Sequence, residues 1–175
     1  MDQSTAAEWQ AIVVETIEQQ PRVAESVLAM LASLENITDK FAVDQLVHSL
    51  QTATRAEEAG ATTEVIVASL CHDIGKVISV INHPRIAAEI LRPYVSHDTF
   101  QMILTHQDFQ GRHYYEFIGQ DPNARDQHVG ASWYALAEQF ADEWDQISFD
   151  PDYPTKPLEH FAPMVREVFG SFTSL

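Results

Sequence analysis

Apolar residues recur at helical spacing along most of the chain, and this periodicity constrains the fold more than any other feature. The clearest segment runs from Trp133 to Trp144, where apolar residues stand at positions i, i+3, i+4, i+7, i+8 and i+11. Helical patterns also cover residues 5–20, 23–34, 41–59, 62–73, 84–92, 98–106 and 157–169. No segment shows the period-two alternation that is typical of a half-buried strand. The sequence therefore predicts an all-α fold.

The composition fits one domain and limits the partners of the protein. A chain of 175 residues, 45% of them apolar, is long enough for a hydrophobic core within a single domain, residues 1–175. The net charge of -16 repels phosphate backbones and anionic membranes, so we expect neither nucleic acid nor a membrane as a partner. The single cysteine, Cys71, excludes an intramolecular disulfide. Without an apolar run of about eighteen residues or a signal peptide, we expect a cytoplasmic protein.

A histidine and an aspartate stand side by side at the end of the most apolar helical segment. His72 and Asp73 follow residues 63–71, which are apolar nearly all round and therefore predict a buried helix. Burying a charged carboxylate there is costly unless it is paired or ligates a cation. The pair is therefore a candidate for the centre of a metal site. The alternative is a capping Asp73 paired with Lys76. In either case Gly75 is the candidate for the C′ residue that ends this helix.

Three more histidines and a second aspartate surround this pair along the chain. His48 lies on the flank of a helical stripe, and His83 lies at a helix entrance before Pro84. His106 lies near a helix end, and Asp145 lies at the edge of the stripe that ends at Trp144. Four imidazoles and two carboxylates supply enough ligands for two octahedral metals if Asp73 bridges them. Nitrogen and oxygen ligands without thiolate favour iron or manganese over structural zinc. The six candidate ligands are His48, His72, Asp73, His83, His106 and Asp145.

The order and spacing of these residues resemble the HD-domain superfamily, whose hallmark is H…HD…H…H…D on a helical bundle. The resemblance covers roughly residues 42–170. It is carried by the stretches QLVHSLQ (45–51), HDIG (72–75), NHP (82–84), EWD (143–145) and PLEHF (157–161). It implies an HD helical bundle over residues 41–170, with residues 1–40 as an added N-terminal helical pair. We expect that pair to serve as a packing face or as the face of a homodimer, with a lid over the site as the alternative.

The six-ligand form is similar to two kinds of HD enzyme. One is the mixed-valence di-iron oxygenases, which include myo-inositol oxygenase and the oxygenases that cleave 1-hydroxyphosphonates; the other is the di-metal phosphohydrolases. The stretches 45–51 and 157–161 look closest to the phosphonate-cleaving branch. This resemblance implies two iron ions, O2 and a small hydroxylated polar or anionic substrate, with cleavage of a C–P or C–C bond or oxidation of a C–H bond. It also implies that Asp73 bridges, that His48, His72 and Asp145 hold one iron, and that His83 and His106 hold the other.

The sequence departs from that branch around the expected substrate. Residues 39–43 lack the Tyr and Glu that precede the first histidine there, and no Lys follows the fourth histidine, so Arg112 or His113 would hold the anionic group. We expect Gln51 and Lys76 to complete the substrate contacts. Because a lysine at the position of Lys76 is common among HD hydrolases, a phosphohydrolase that acts on a nucleotide or small phosphoester with Mn or Mg is the alternative function. A metal-free binding module is the third hypothesis.

Overall fold

The computed structural model describes residues 2–170, apart from the side chain of Pro21, and these residues form a helical bundle. Short 3-10 turns connect the α-helices, and a π-helical turn, Phe140–Asp145, continues the seventh one. No strand occurs within the described range, so the prediction of an all-α HD-type bundle is confirmed. The helices are α1 Ala6–Glu18, α2 Pro21–Ser33, α3 Gln45–Glu58, α4 Thr63–Cys71, α5 His83–Leu91, α6 His97–Gln110, α7 Tyr134–Gln139 and α8 Leu158–Gly170.

Side-chain caps set where the helices of the bundle begin. Thr62 and Ser96 cap α4 and α6, because each hydroxyl accepts a hydrogen bond from an early backbone amide. The predicted start of α3 at residue 41 is wrong, because the helix begins at Gln45 after the Asp44 cap. Just before that cap, Asp39 and Lys40 have positive φ angles of 46° and 63°, which a helix does not allow.

Helix α4 lies at the centre of the bundle and is buried on all sides. Every residue from Val65 to Cys71 is buried, as its continuous apolar run predicts. Helices α3, α6 and α8 pack against α4, while α5 packs against α6 and α6 against α7. This arrangement brings the end of α4, which carries His72 and Asp73, between α3, α5, α6 and the π-helical turn.

The two N-terminal helices differ in how they pack. Helix α2 packs against α8 and belongs to the bundle, whereas α1 has no buried residue. The apolar side chains of Trp9, Ile12, Val13 and Ile17 are each more than two-fifths exposed. The two helices therefore differ in burial, and a homodimer that uses α1 stays a prediction. No helix among the described residues combines the length and the hydrophobicity that crossing a membrane requires.

Candidate metal centre

The six predicted ligands converge on one buried point of the bundle. Each is at most 3% exposed, although together they span almost a hundred residues of sequence. The helices explain this convergence, because five separate elements each contribute one or two of the side chains. His48 lies on α3, His72 and Asp73 follow the end of α4, His83 begins α5, His106 lies on α6, and Asp145 ends the π-helical turn.

The carboxylate of Asp73 lies between two pairs of histidines. Its Oδ2 atom lies 3.3 Å from Nε2 of His72 and 3.6 Å from Nε2 of His48. Its Oδ1 atom lies 2.9 Å from Nε2 of His83 and 3.7 Å from Nε2 of His106. Each oxygen thus faces one pair. Oδ1 of Asp145 also approaches the first pair, at 3.1 Å from Nε2 of His48 and 3.4 Å from Nε2 of His72.

The contacts of Nδ1 determine which nitrogen of each imidazole carries the hydrogen. Each Nδ1 atom lies 2.6 to 2.8 Å from a backbone carbonyl oxygen, which can only accept a hydrogen bond. The four Nδ1 atoms therefore carry the hydrogen, and in a neutral ring each Nε2 atom presents a lone pair. Metal-ligating histidines in proteins are held in this way. The accepting carbonyls belong to Ser148 for His48, Ser69 for His72, Val80 for His83 and Ile103 for His106.

Lone pairs converge at two places in this cluster. The Nε2 atoms of His48 and His72 are 3.0 Å apart, and those of His83 and His106 are 3.2 Å apart. With Nδ1 already donating, a neutral imidazole has no hydrogen to place between them. Nor does any described residue offer a well-oriented hydrogen-bond donor to Oδ1 of Asp73 or to either carboxylate oxygen of Asp145. A cation at each place satisfies all of these atoms, so the residues fit two metal ions.

Lys76 makes the ion pair that the alternative interpretation of Asp73 requires. Its Nζ atom lies 2.7 Å from Oδ2 of Asp73 and donates a hydrogen bond to Oε1 of Gln45 at 2.9 Å. One ammonium group balances one carboxylate and leaves the paired Nε2 atoms and the carboxylate of Asp145 without a partner. The ion pair and a metal site are therefore compatible, and the ion pair does not replace it.

The charges of the cluster require compensation by a positive charge. Burial lowers the pKa of His72, but the carboxylates of Asp73 and Asp145 outweigh burial and raise it to about 10. Conversely, burial raises the pKa of the Asp145 carboxyl, but His72 and His48 bring it well below its usual range. Asp73 behaves in the same way beside His72 and Lys76. In a metal-free protein a proton on His72 supplies part of this compensation, and metal ions would replace it.

A cavity of about 460 Å³ leads from the surface to the cluster. This volume is typical of sites for small molecules. Asp73 and His83 form its floor, and amide, aromatic and charged side chains form its walls. The remaining lining residues are Asp39, Phe41, Lys76, Val80, Gln107, Gln110, His113, Tyr114, Gln146 and Phe149.

The four predicted substrate contacts differ in their relation to this cavity. Lys76 and His113 line it, whereas Gln51 and Arg112 are not among its lining residues. Arg112 is exposed. Gln51 is buried, donates to the backbone oxygen of Asp150 at 2.6 Å and accepts from its backbone amide at 3.2 Å. Because both ends of the amide are used, Gln51 holds the loop after the π-helical turn rather than facing the cavity.

Phe149 on that loop is a site residue that the sequence did not reveal. Its ring stacks on the imidazole of His48, with centroids 4.0 Å apart, and on Phe41, with centroids 4.3 Å apart. It lies in a turn-rich stretch that indicated only a connection between helices. An aromatic residue within a polar turn was the one signal available. The stack covers one face of the His48 imidazole.

Gly75 is required by close packing, and its predicted role as the residue that ends α4 is wrong. It lies in the 3-10 turn Ile74–Val77, is buried and does not have a positive φ angle. A Cβ atom placed on it would meet the backbone carbonyl oxygen of His83 and would lie 2.8 Å from the Cα atom of that residue. The turn after the His72–Asp73 pair can thus approach the start of α5 only without a side chain.

Replacing Gly75 by alanine should displace His83 from the cluster. We expect a loss of about 1–3 kcal/mol in the free energy of unfolding, the usual cost of overpacking, together with weaker metal binding. Thermal unfolding and metal titration measure the two effects. Gly170→Ala is the control, because a Cβ atom at Gly170 meets no atom within 4 Å. Equal stability and metal affinity for Gly75→Ala and the wild type would contradict the packing argument.

Comparison with known proteins agrees with this geometry. The HD domain family model matches residues 46–150, which is more than half of the chain and includes all six clustered side chains. No curated protein matches the chain. Members of the HD domain family are generally metal-dependent hydrolases or oxygenases. The chain belongs to the HD domain family.

Proposed function

We propose that the protein is a di-iron oxygenase that uses O2 on a small hydroxylated polar or anionic substrate. The reaction would cleave a C–P or C–C bond, as in a 1-hydroxyphosphonate, or oxidise a C–H bond. The observation that carries the proposal is the carboxylate of Asp73, which turns one oxygen to each of two histidine pairs. A carboxylate in that position suits a bridge between two metals, and the ligand set of nitrogen and oxygen suits iron.

The residues of the chain divide the work between holding the metals and holding the substrate. His48, His72 and Asp145 would hold one ion, and His83 and His106 the other, with Asp73 shared. When bound, the iron pair would supply the one-electron and O2 chemistry that side chains lack. The protein would orient the ligands through the backbone carbonyls that accept from each Nδ1 atom, which fixes the rings before any substrate arrives.

The walls of the cavity indicate a polar substrate. Lys76 places an ammonium group beside the cluster and would attract an anionic group of the substrate. Gln107, Gln110 and Gln146 supply amides that can donate to or accept from hydroxyl and carbonyl groups. Because the whole chain carries a charge of -16, a local cation such as Lys76 is needed if an anion is to enter.

Hydrolysis of a phosphoester is the second candidate, and the position of Lys76 favours it. An ammonium group 2.7 Å from the shared carboxylate of Asp73 lies where it could neutralise a phosphate bound at both metal ions. Two-metal sites of this kind are widespread among phosphatases and nucleases. Mn or Mg would replace iron in that case, and no O2 would be consumed.

Oxygen consumption distinguishes the two candidates. We expect protein that is purified without O2 and loaded with Fe²⁺ to consume O2 when 1-hydroxyphosphonates, polyols or 2-hydroxy acids are added from a panel. An oxygen electrode and EPR of the partly oxidised protein measure the reaction and the mixed-valence state. Asp73→Asn protein is the control and should consume none. Release of phosphate from nucleotides with Mn and without O2 would instead favour the phosphohydrolase.

A further inference from the structure

His113, which lines the same cavity, pairs with a carboxylate outside the metal cluster. Nε2 of His113 donates to Oδ1 of Asp142 over 2.8 Å. The guanidinium of Arg125 approaches both oxygens of that carboxylate, with Nη1 at 3.2 Å from Oδ1 and 3.0 Å from Oδ2. Arg125 is buried, with only 6% of its surface exposed. Its Nη2 atom also lies 3.5 Å from Oε1 of Glu138. The side chains of His113 and Asp142 are each 31% exposed.

The partners of Asp142 fix which nitrogen of His113 remains available. Burial raises the pKa of the Asp142 carboxyl, but the hydrogen bonds from His113 and Arg125 outweigh burial and keep it below its usual value. An ionised carboxylate only accepts hydrogen bonds, so Nε2 of His113 carries the hydrogen. The nitrogen left for a ligand is Nδ1.

The backbone ties this pair to the metal cluster. Asp142 lies three residues before Asp145 on the π-helical turn, whose widened turn is closed by the hydrogen bond from the amide of Gln146 to the carbonyl of Ala141 at 3.1 Å. One short rigid segment thus carries a carboxylate into the metal cluster and another onto His113. Turns of this type are frequent at functional sites.

We propose that His113 contacts the substrate through Nδ1 as the acceptor of a hydrogen bond or proton from a substrate hydroxyl, and that Asp142, held by Arg125, is its positioning residue. The part of this inference that concerns substrate rests on the proposed function. The part that concerns the ring depends only on the contacts of His113, Asp142 and Arg125. It replaces the sequence-based expectation of an anionic group at His113 with a hydroxyl group there.

Histidine-selective nitrogen NMR tests the ring without any substrate. In the zinc-loaded, diamagnetic full-length protein at pH 8, the His113 ring should carry its hydrogen on Nε2, the nitrogen that faces Asp142. Asp142→Asn should shift the ring to a mixture of tautomers, whereas Glu143→Gln, which makes the same charge change at an exposed position on the same turn, should leave it as in the wild type. A His113 ring that carries hydrogen on both nitrogens, or on Nδ1 alone, would overturn the proposal.

A double-mutant cycle tests the role in turnover with whichever substrate of the panel gives O2 consumption. Asp142→Asn should lower kcat by about 100-fold, the usual range for a positioned acceptor of protons, with KM within about threefold and full metal content. In a His113→Gln background the same substitution should have no further effect, because Asp142 acts through His113. Independent, additive losses would contradict this. If no substrate on the panel consumes O2, the oxygenase proposal fails while the NMR result still decides the assignment of the ring.

Discussion

Replacing Asp73 by alanine is expected to abolish tight binding of both metal ions, while replacing Asp145 by alanine should remove only one. Oδ2 of Asp73 faces His48 and His72, and Oδ1 faces His83 and His106. Without this side chain, both histidine pairs lose the carboxylate that they share. Losing such a ligand should cost more than the 10–100-fold in affinity that outer contacts of a metal site usually contribute. Elemental analysis after anaerobic loading and dialysis gives the number of ions per chain.

The Asp145→Ala variant distinguishes a carboxylate that bridges two ions from one that binds a single ion. Among the described residues, the Asp145 carboxylate pairs with His48 and His72, at 3.1 and 3.4 Å, so one ion should remain with Asp73, His83 and His106. Glu143→Ala, at an exposed position two residues earlier on the same turn, is the matched control and should retain two ions. Two ions in Asp73→Ala would refute the bridging role, and two ions in Asp145→Ala would refute the assignment of that residue. O2 consumption should vanish in both aspartate variants, because the proposed chemistry needs the pair.

The six residues of the buried cluster could be named from the sequence, but the burial of His48 could not. On periodicity alone, His48 lies on the flank of the α3 stripe, where a surface histidine is the ordinary outcome. In the structure it is 1% exposed, and polar neighbours on the same helix such as Gln45 and Ser49 are fully buried. The polar side of α3 is covered by the π-helical turn and by the loop that carries Ser148, a hundred residues later. Local sequence does not encode that contact.

Contacts between distant segments explain the other differences as well. The apolar period from Trp133 to Trp144 predicts one regular helix, and nothing in that period signals the change to i→i+5 hydrogen bonds in the turn Phe140–Asp145. The turn is nevertheless what brings Asp142 to His113 while Asp145 stays within the metal cluster. The need for glycine at position 75 also depends on a distant contact, because the backbone of His83, at the start of another helix, leaves no room for a side chain there. Sequence patterns predict faces of helices, and the contacts of those faces depend on the whole bundle.

Removing the metal ions should lower the melting temperature of the wild-type protein by about 10–20 °C. Without cations, the Nε2 lone pairs of His83 and His106 remain 3.2 Å apart, and a proton on His72 is left to compensate the carboxylates of Asp73 and Asp145. An ion present at 100 times its dissociation constant adds about 2.7 kcal/mol to the free energy of unfolding, so two ions add about 5 kcal/mol. For a chain of this length each kcal/mol corresponds to about 2–4 °C.

The comparison of chelated and reloaded protein by calorimetry measures this difference, and Asp73→Ala isolates its cause. Dialysis against a chelator should destabilise the wild type, and addition of Fe²⁺ without O2, or of Mn²⁺, should restore the original melting temperature. The Asp73→Ala variant should melt at one temperature in all of these conditions, because it has no paired site to fill. Equal melting temperatures for chelated and reloaded wild type would mean that protons and Lys76 alone stabilise the cluster, in which case Asp73 is a structural ion-pair residue and the bundle supports no two-metal chemistry.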